Sequence, residues 1–299
     1  MNTNKTKTNF ITKSNEIADK IISAIENGTA PWVRGWKMNY NANKLDYNPV
    51  TGKEYIGQNA VICYFRSLEL GTTDPRWYTM KGLRTIKGAS VRKGEKGTML
   101  SFYIKNGKKK IEDPDTGEVL EKIMSGRTYF YVWNACQIDG LPPLEDEPKD
   151  KEFNPIQIGE DIINESKAII NYGGNQAFYR PALDNIQLPE RHQFKDAGEF
   201  YSTALHELGH WTGHKSRLDR SLINSYGSPE YAKEELRAEI ASWMLSRQTG
   251  LPHNPDNHAS YIDSWLTVLK KNKNEIYKAI NDAQRIVDFL LKPLKKSEA

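Results

Sequence analysis

In "SNEIADKIISAIEN", isoleucines 17, 21, 22 and 25 recur at three- and four-residue intervals, which predicts an amphipathic helix over residues 14–27, stopped by Gly28. The same spacing returns from Gln58 to Leu70, again ahead of a glycine, Gly71. From Trp77 to Gln137 the pattern shortens to strands, "TMLSFYI" and "RTYFYVWNACQI", with a turn expected at Asn106–Gly107. Residues 141–155, "LPPLEDEPKDKEFNP", are proline-rich, acidic and aperiodic, as a linker would be. Helical spacing resumes over 156–171, and a short strand-like "AFYRPALDNIQLP" leads into a helix through "LHELGHWTGH". Further helical segments follow near 229–248, 256–271 and 274–291, with no internal repeat. The expected fold class is α+β in two domains: a mixed α/β domain over 1–141, a linker over 142–155, and a mostly helical domain with a small sheet over 156–299.

Charge sharpens that division. Residues 1–110 carry 20 Lys and Arg against 8 Asp and Glu, whereas residues 111–299 carry 22 against 30. A basic front and an acidic rear point to different partners, the front one a polyanion. Cys63 and Cys136 are too few and too far apart for a disulfide framework or a CxxC metal site, and read as thiols in a reducing compartment. The polar opening "MNTNKTKTNFITKSN" has no apolar segment of a secretory signal, and no apolar run reaches the ~18 residues a membrane span needs. The expectation is a soluble, cytoplasmic protein without a membrane partner.

Three of the six histidines fall within "LHELGHWTGH". His206 and His210 are four apart, so on a helix both imidazoles leave the same face and can hold one zinc ion per chain. Glu207 then stands beside the open coordination position, where a carboxylate serves as general base toward water. Tyr201, Ala204, Leu205, Leu208 and Trp211 give this helix an apolar side, and Gly213 is expected to end it in the left-handed conformation. A third ligand is needed. His214 is one option, although a continuous helix would carry it away from His206, and Ser216 occupies the place of a metzincin's last histidine. The other source is "YAKEELRAEIASWML", in which Glu235 and Glu239 share a helix face. Glu235 as ligand completes the His2Glu set of thermolysin-like enzymes, with Glu239 steadying a ligating histidine and Glu234 as the alternative ligand. Tyr179 or His214 are candidates to stabilise an oxyanion.

The basic front has what single-strand binding requires: aromatic faces for bases and cations for phosphates. Trp32, Trp36, Tyr55 and Trp77 are the stacking candidates, and Arg34, Lys53, Lys81, Arg84, Lys87, Arg92, Lys93 and Lys96 the phosphate contacts. Tyr129, Phe130, Tyr131 and Trp133, in an apolar strand, are expected in the core. No G-x-x-x-x-G-K-[ST] loop is present, so nucleotide hydrolysis is not expected.

These residues carry a resemblance. "AFYRPALDNIQLP", "FYSTALHELGHWTGHKSRLDR" and "YAKEELRAEIAS" resemble the zincin-like metallopeptidase domain of plasmid antirestriction proteins of the ArdC kind. "PWVRGW", "NPVTGKEYIGQN", "WYTMKGL", "VRKGEKGT" and "VWNACQIDGL" resemble the same family's single-stranded-DNA-binding domain, which also fronts TraC-type primases. The resemblance implies a protein that shields incoming mobile DNA from restriction, with single-stranded DNA and a protein substrate as partners. Two other readings share its residues: a DNA-coating protein whose zinc is only structural, and a zinc peptidase with a protein-docking front domain. The lysine-rich "KNGKKKIEDPDTGEVLEK" has no counterpart in this picture.

Overall fold

The computed structural model describes residues 3–30, 32, 45–112, 119–144, 155–222, 225, 227–251, 253 and 261–297. They fall into two compact units, Leu45–Glu147 and a second formed by residues 1–44 with 148–299. The opening helix, α1 (Thr3–Glu26), therefore belongs with the C-terminal residues and not with the domain expected over 1–141. Its isoleucine face explains this: Ile21 and Ile25 are buried, and Glu26 and Asp19 form ion pairs with Lys270 and Lys273.

In the Leu45–Glu147 unit, β1 (Tyr47–Asn48) and β2 (Lys53–Glu54) pair ahead of helix α2 (Gly57–Leu70). Gly71, at φ 63°, ends α2 in the left-handed region as expected. Strand β3 (Trp77–Thr79), the one-turn helix α3 (Met80–Leu83) and β4 (Ser90–Val91) follow. The long strands β5 (Thr98–Glu112) and β6 (Val119–Asn134) then form an antiparallel ribbon, and β7 (Ile138–Asp139) pairs with β4. The main sheet has the order β3-β6-β5. Asn106–Gly107 is not the turn of this ribbon. The ladder shifts register between Ile104 and Gly107 and continues to Glu112 opposite Val119, so the lysine-rich stretch supplies both arms. Leu100 and Val132 bury one face of the sheet, and the α2 residue Asn59 brackets the β5 backbone by bonding both the N–H and the carbonyl of Ser101.

The other unit continues from α1 with α4 (Pro155–Ser166) and a sheet of β8 (Ile169–Tyr172), β9 (Phe178–Arg180) and β10 (Asn185–Leu188). The helix expected over 156–171 ends early. Lys167, at φ 58°, turns the chain, and the β-branched pair Ile169–Ile170 joins a parallel ladder with β10. Strand β9 pairs antiparallel on the other side of β10. Next come α5 (Ala197–Trp211), α6 (Pro229–Thr249), α7 (Ile262–Lys271) and α8 (Asn274–Ser297). Helix α5 starts at Asp196, whose side chain accepts from the Glu199 N–H, and α6 starts at Ser228 with Pro229 in its first turn. The core combines aliphatic side chains, Leu205, Leu208, Ile240, Leu245, Ile280 and Val287, with buried rings such as Phe200 and Trp265. Helices α5 and α6 approach closely at Gly209, where a Cβ would lie 3.4 Å from Ala238. No helix among the described residues is long and apolar enough to cross a membrane.

Candidate metal centre

Helices α5 and α6 bring two imidazoles and a carboxylate to one point. The His206 and His210 Nε2 atoms are 3.1 Å apart, and Glu235 places Oε2 3.4 Å from the first and Oε1 3.4 Å from the second. Among the described residues these three form the cluster able to hold a metal ion. A tetrahedral cation with donors at ~2.0–2.1 Å needs neighbouring donors about 3.3–3.4 Å apart, so the donor set fits a zinc-sized ion.

The outer nitrogens are held as well. His206 Nδ1 is 3.1 Å from Glu239, and His210 Nδ1 is 3.4 Å from Glu234. Each imidazole thus turns Nδ1 to a carboxylate and Nε2 to the centre, which fixes the tautomer that leaves a lone pair inward. Glu234 stands outside the donor triangle, on the far side of His210, and is gripped by Arg220 through Nη2 at 2.8 Å. The same guanidinium donates to the Gly209 carbonyl at 2.7 Å and to Thr212 at 2.9 Å. It can do so because Gly213 has no side chain: a Cβ there would meet Arg220 Nη2 at 2.9 Å and Leu222 at 2.7 Å. Gly213 is therefore needed for space and not for a left-handed stop. Helix α5 ends at Thr212 in the right-handed conformation, and Gly213 is absent from the glycines with positive φ.

Four buried carboxylates, Glu207, Glu234, Glu235 and Glu239, converge on this centre, and Arg220 compensates Glu234. Burial opposes charge on His206, yet its bonds to Glu235 and Glu239 outweigh that and raise it to about 9. His210 is likewise driven well above its ordinary value, against burial, by Glu235 and Glu234. Burial also works against the Glu235 charge, and the two imidazoles reverse it and hold the carboxyl far below the usual range. Such an excess of buried anionic groups favours a divalent cation over neutral imidazoles.

The centre opens on a cavity of about 730 Å3 whose wall includes Glu207, Phe178 and Tyr179 from β9, and Tyr231 and Tyr261. Tyr179 reaches this wall, but its hydroxyl donates to Asp184 at 2.8 Å. His214 is not on the wall: its Nδ1 lies 2.8 Å from the Ser216 hydroxyl and 3.8 Å from Asp184. Sequence reasoning passed over three participants. Tyr231 precedes Glu235 by one helical turn, a spacing that could have flagged it, and its hydroxyl is 3.1 Å from that of Tyr261. Arg220 and His253, the latter 3.4 Å from Glu239, come from loops and leave no periodic signal.

The stacking candidates fare differently. Trp32 is fully buried against Trp243, in the unit that holds the metal centre. Trp77 is fully buried with its indole N–H on Asp46, and Tyr55 is buried too, so none of the three offers a face to a base. The apolar composition around them drew them into the core. Arg34 and Trp36 lie outside the described residues. Lys53, Lys81, Arg84, Lys87, Arg92, Lys93 and Lys96 are exposed, although Arg92 is engaged with the Cys136 carbonyl and with Glu95 and Asp139. The aromatics expected in the core are not all there: Tyr131 is 44% exposed.

Comparison with known proteins adds to this geometry. Residues 157–282 match the zincin-like metallopeptidase family, and residues 12–133 match the N-terminal domain of anti-restriction factor ArdC. The chain is 42% identical over 289 residues to an Escherichia coli DNA primase TraC, covering 92% of this chain and 27% of that protein. A second E. coli TraC is covered over only 19% of its length, so the chain spans about a quarter or less of these relatives. The protein y4eC of Sinorhizobium fredii is 33% identical, with 92% of this chain and 90% of that one covered. Among solved structures, the metal-free antirestriction ArdC protein of the R388 plasmid superposes with a TM-score of 0.73 at 34% identity, over 95% of this chain and 98% of that one. Its Mn(II)-bound form gives 0.74 at 32%, over 93% and 97%.

Proposed function

This chain belongs to the ArdC family of antirestriction proteins, and on that footing we propose that it protects incoming mobile DNA by pairing a divalent-metal peptidase centre with a surface for single-stranded DNA. The observation that carries the catalytic half is the convergence of His206, His210 and Glu235 beside the buried carboxylate of Glu207 in one cavity. A structural metal site has no use for a fourth, uncoordinated acid on an open cavity, so Glu207 favours chemistry over the structural reading.

His206, His210 and Glu235 would hold the cation through two Nε2 atoms and a carboxylate, a donor set that suits zinc and also admits manganese. When bound, such an ion acts as a Lewis acid and brings the pKa of water toward ~7. Glu239 and Glu234 keep the imidazoles in register by accepting from Nδ1. Glu207 takes a proton from the water that attacks the peptide carbonyl and passes it to the amine released as the C–N bond breaks. Phe178, Tyr231 and Tyr261 line the cavity beside it. The free thiols Cys63 and Cys136 agree with a reducing cytoplasm as the place of action.

The test compares wild type, His206→Ala and Glu207→Gln for bound metal, oligonucleotide affinity and protection of transferred DNA against restriction. His206→Ala should lose the metal. Glu207→Gln should keep metal and oligonucleotide binding and lose protection. Protection that survives Glu207→Gln would rule out peptidase chemistry as its source.

A further inference from the structure

The ribbon of β5 and β6 exposes aromatic rings that the core does not use. Along β6, Arg127, Tyr129, Tyr131 and Trp133 alternate onto one face. The register puts Tyr103 opposite Arg127, Ser101 opposite Tyr129 and Met99 opposite Tyr131, so these β5 residues share that face. Leu100 and Val132 point the other way, into the core. Strand β3 covers only residues 132–134 of β6, which leaves the outer part of the ribbon two-stranded. There Tyr103 is 65% exposed and Phe102 is 51% exposed on the opposite face. A two-stranded ribbon presenting large rings to water is a poor structure by itself and calls for a partner.

Charge selects among partners. In residues 97–104 and 126–138, which carry the rings, Arg127 is the one charged residue, and the acidic Glu112 and Glu121 fall at the far end of the ribbon. Arg127 is exposed at one end of the aromatic column. At the other end Trp133 packs on the buried cluster of Tyr78, Leu83, Ala135 and Ile138 and closes the column against Gly97, where a Cβ would sit 2.8 Å from the indole; this brings in the loop that carries the exposed Lys93 and Lys96. A row of rings on a sheet with cations at both ends and no anion within it suits bases stacked on rings with phosphates on the flanks.

We propose that the face bearing Tyr103, Tyr129, Tyr131 and Arg127 is the surface that takes single-stranded DNA, in place of the buried tryptophans. This rests on the single-strand half of the proposed function. The rings act through their faces, so the hydroxyls are dispensable. Duplex DNA, whose bases are already stacked, binds only through its phosphates.

The experiment titrates the full chain against a labelled oligothymidylate of about 16 nucleotides, the upper end of single-strand site sizes. Tyr103→Ala and Tyr131→Ala should each weaken binding about fivefold or more, and Tyr103→Phe and Tyr131→Phe should bind like wild type. Arg127→Ala should lower the slope of log affinity against log salt by about 0.7, one phosphate's worth. Tyr103 is exposed enough that its replacement leaves the thermal midpoint unchanged, which separates lost stacking from lost folding. Wild type that binds no oligonucleotide overturns the single-strand reading as a whole. Wild type that binds while the alanine variants bind equally well overturns this surface alone. So does an equal affinity for duplex, or a change in oligomeric state on alanine substitution with affinity intact.

Discussion

Arg220 grips Glu234 with two nitrogens, Nη2 at 2.8 Å and Nε at 3.2 Å, and both side chains are under 10% exposed. The pair lies one step behind the metal donors. Glu234 faces His210 Nδ1, so the clamp on Glu234 is transmitted to the imidazole and from there to Nε2. A loop residue thereby sets the aim of a helix residue. Burial opposes the Glu234 charge, but the bonds to His210 and Arg220 prevail and keep its carboxyl below the usual range.

Breaking this pair from one side leaves a buried carboxylate without its main partner. Arg220→Ala is expected to destabilise the fold by about 3 kcal/mol, at the low end for a broken buried pair because Arg237 remains 3.8 Å from Glu234. Arg220→Lys keeps the charge and loses the fork, so it should fall between the two. Chemical denaturation of the three proteins, with metal removed, checks the order. Equal midpoints for wild type and Arg220→Ala would mean that Glu234 finds its compensation elsewhere.

Glu239 and Glu235 look alike in sequence, four residues apart on one helix face, but the structure gives them different atoms to face. Glu235 reaches both Nε2 atoms, while Glu239 faces His206 Nδ1 at 3.1 Å. Glu235→Ala should therefore abolish stoichiometric metal binding, and Glu239→Ala should weaken it by about 10–100-fold. Competition against a chromophoric chelator distinguishes the two. Equal losses would show that Glu239 is itself a donor.

The pH dependence of the stripped protein follows from the imidazoles. His206 is raised from 6.5 to about 9, with His210 also raised. A raised histidine adds stability that is complete below its unfolded value of about 6.5 and is lost as pH climbs through the folded value. Glu234 and Glu235, both held below the usual carboxylate range, stay ionised over that window and contribute no opposing change. In chelator the thermal midpoint should fall between about pH 6.5 and pH 9. With metal bound the trend should reverse or flatten, because protons then compete with the ion. A flat profile in chelator would show that the carboxylates do not keep protons on the imidazoles.

The two halves were legible to different degrees for a physical reason. Helix periodicity put His206 and His210 on one face and Glu235 and Glu239 on another, and the His2Glu donor set of thermolysin-like enzymes joined the two helices. Helices α2 and α6 fell close to their expected bounds on the same ground. The aromatic residues could not be sorted that way. Trp77 and Tyr131 are both aromatic residues in strands, and which one is buried depends on cross-strand neighbours far along the chain. Tyr131 and Val132 are adjacent and take opposite faces, so composition alone read the whole of "YFYVW" as core. Strand β8 was lost to a predicted helix because its partner β10 lies beyond a turn that contains Gly173 and Gly174. Arg220 had no pattern to declare it.

Gly213 offers the sharpest test of how the loop after α5 supports the centre. It is read in sequence as a helix stop, which would make alanine costly through backbone strain. The structure instead gives it an ordinary right-handed neighbourhood and crowds it with three atoms: Leu222 Cδ2 at 2.7 Å, Arg220 Nη2 at 2.9 Å and the His210 carbonyl at 3.0 Å from where a Cβ would stand. One of these is backbone and cannot swing aside; another is the guanidinium that clamps Glu234. Gly213→Ala should therefore cost about 1–3 kcal/mol by overpacking and weaken metal binding with it, since Arg220 is one of the two side chains that must give way. Adding Leu222→Ala relieves the closest contact and should recover part of the stability but little of the metal affinity, because the Arg220 clash remains. Paired measurements of thermal midpoint and metal affinity on the single and double variants decide this. Full recovery of both by Leu222→Ala would mean that Gly213 makes room for a leucine and has no hold on the clamp.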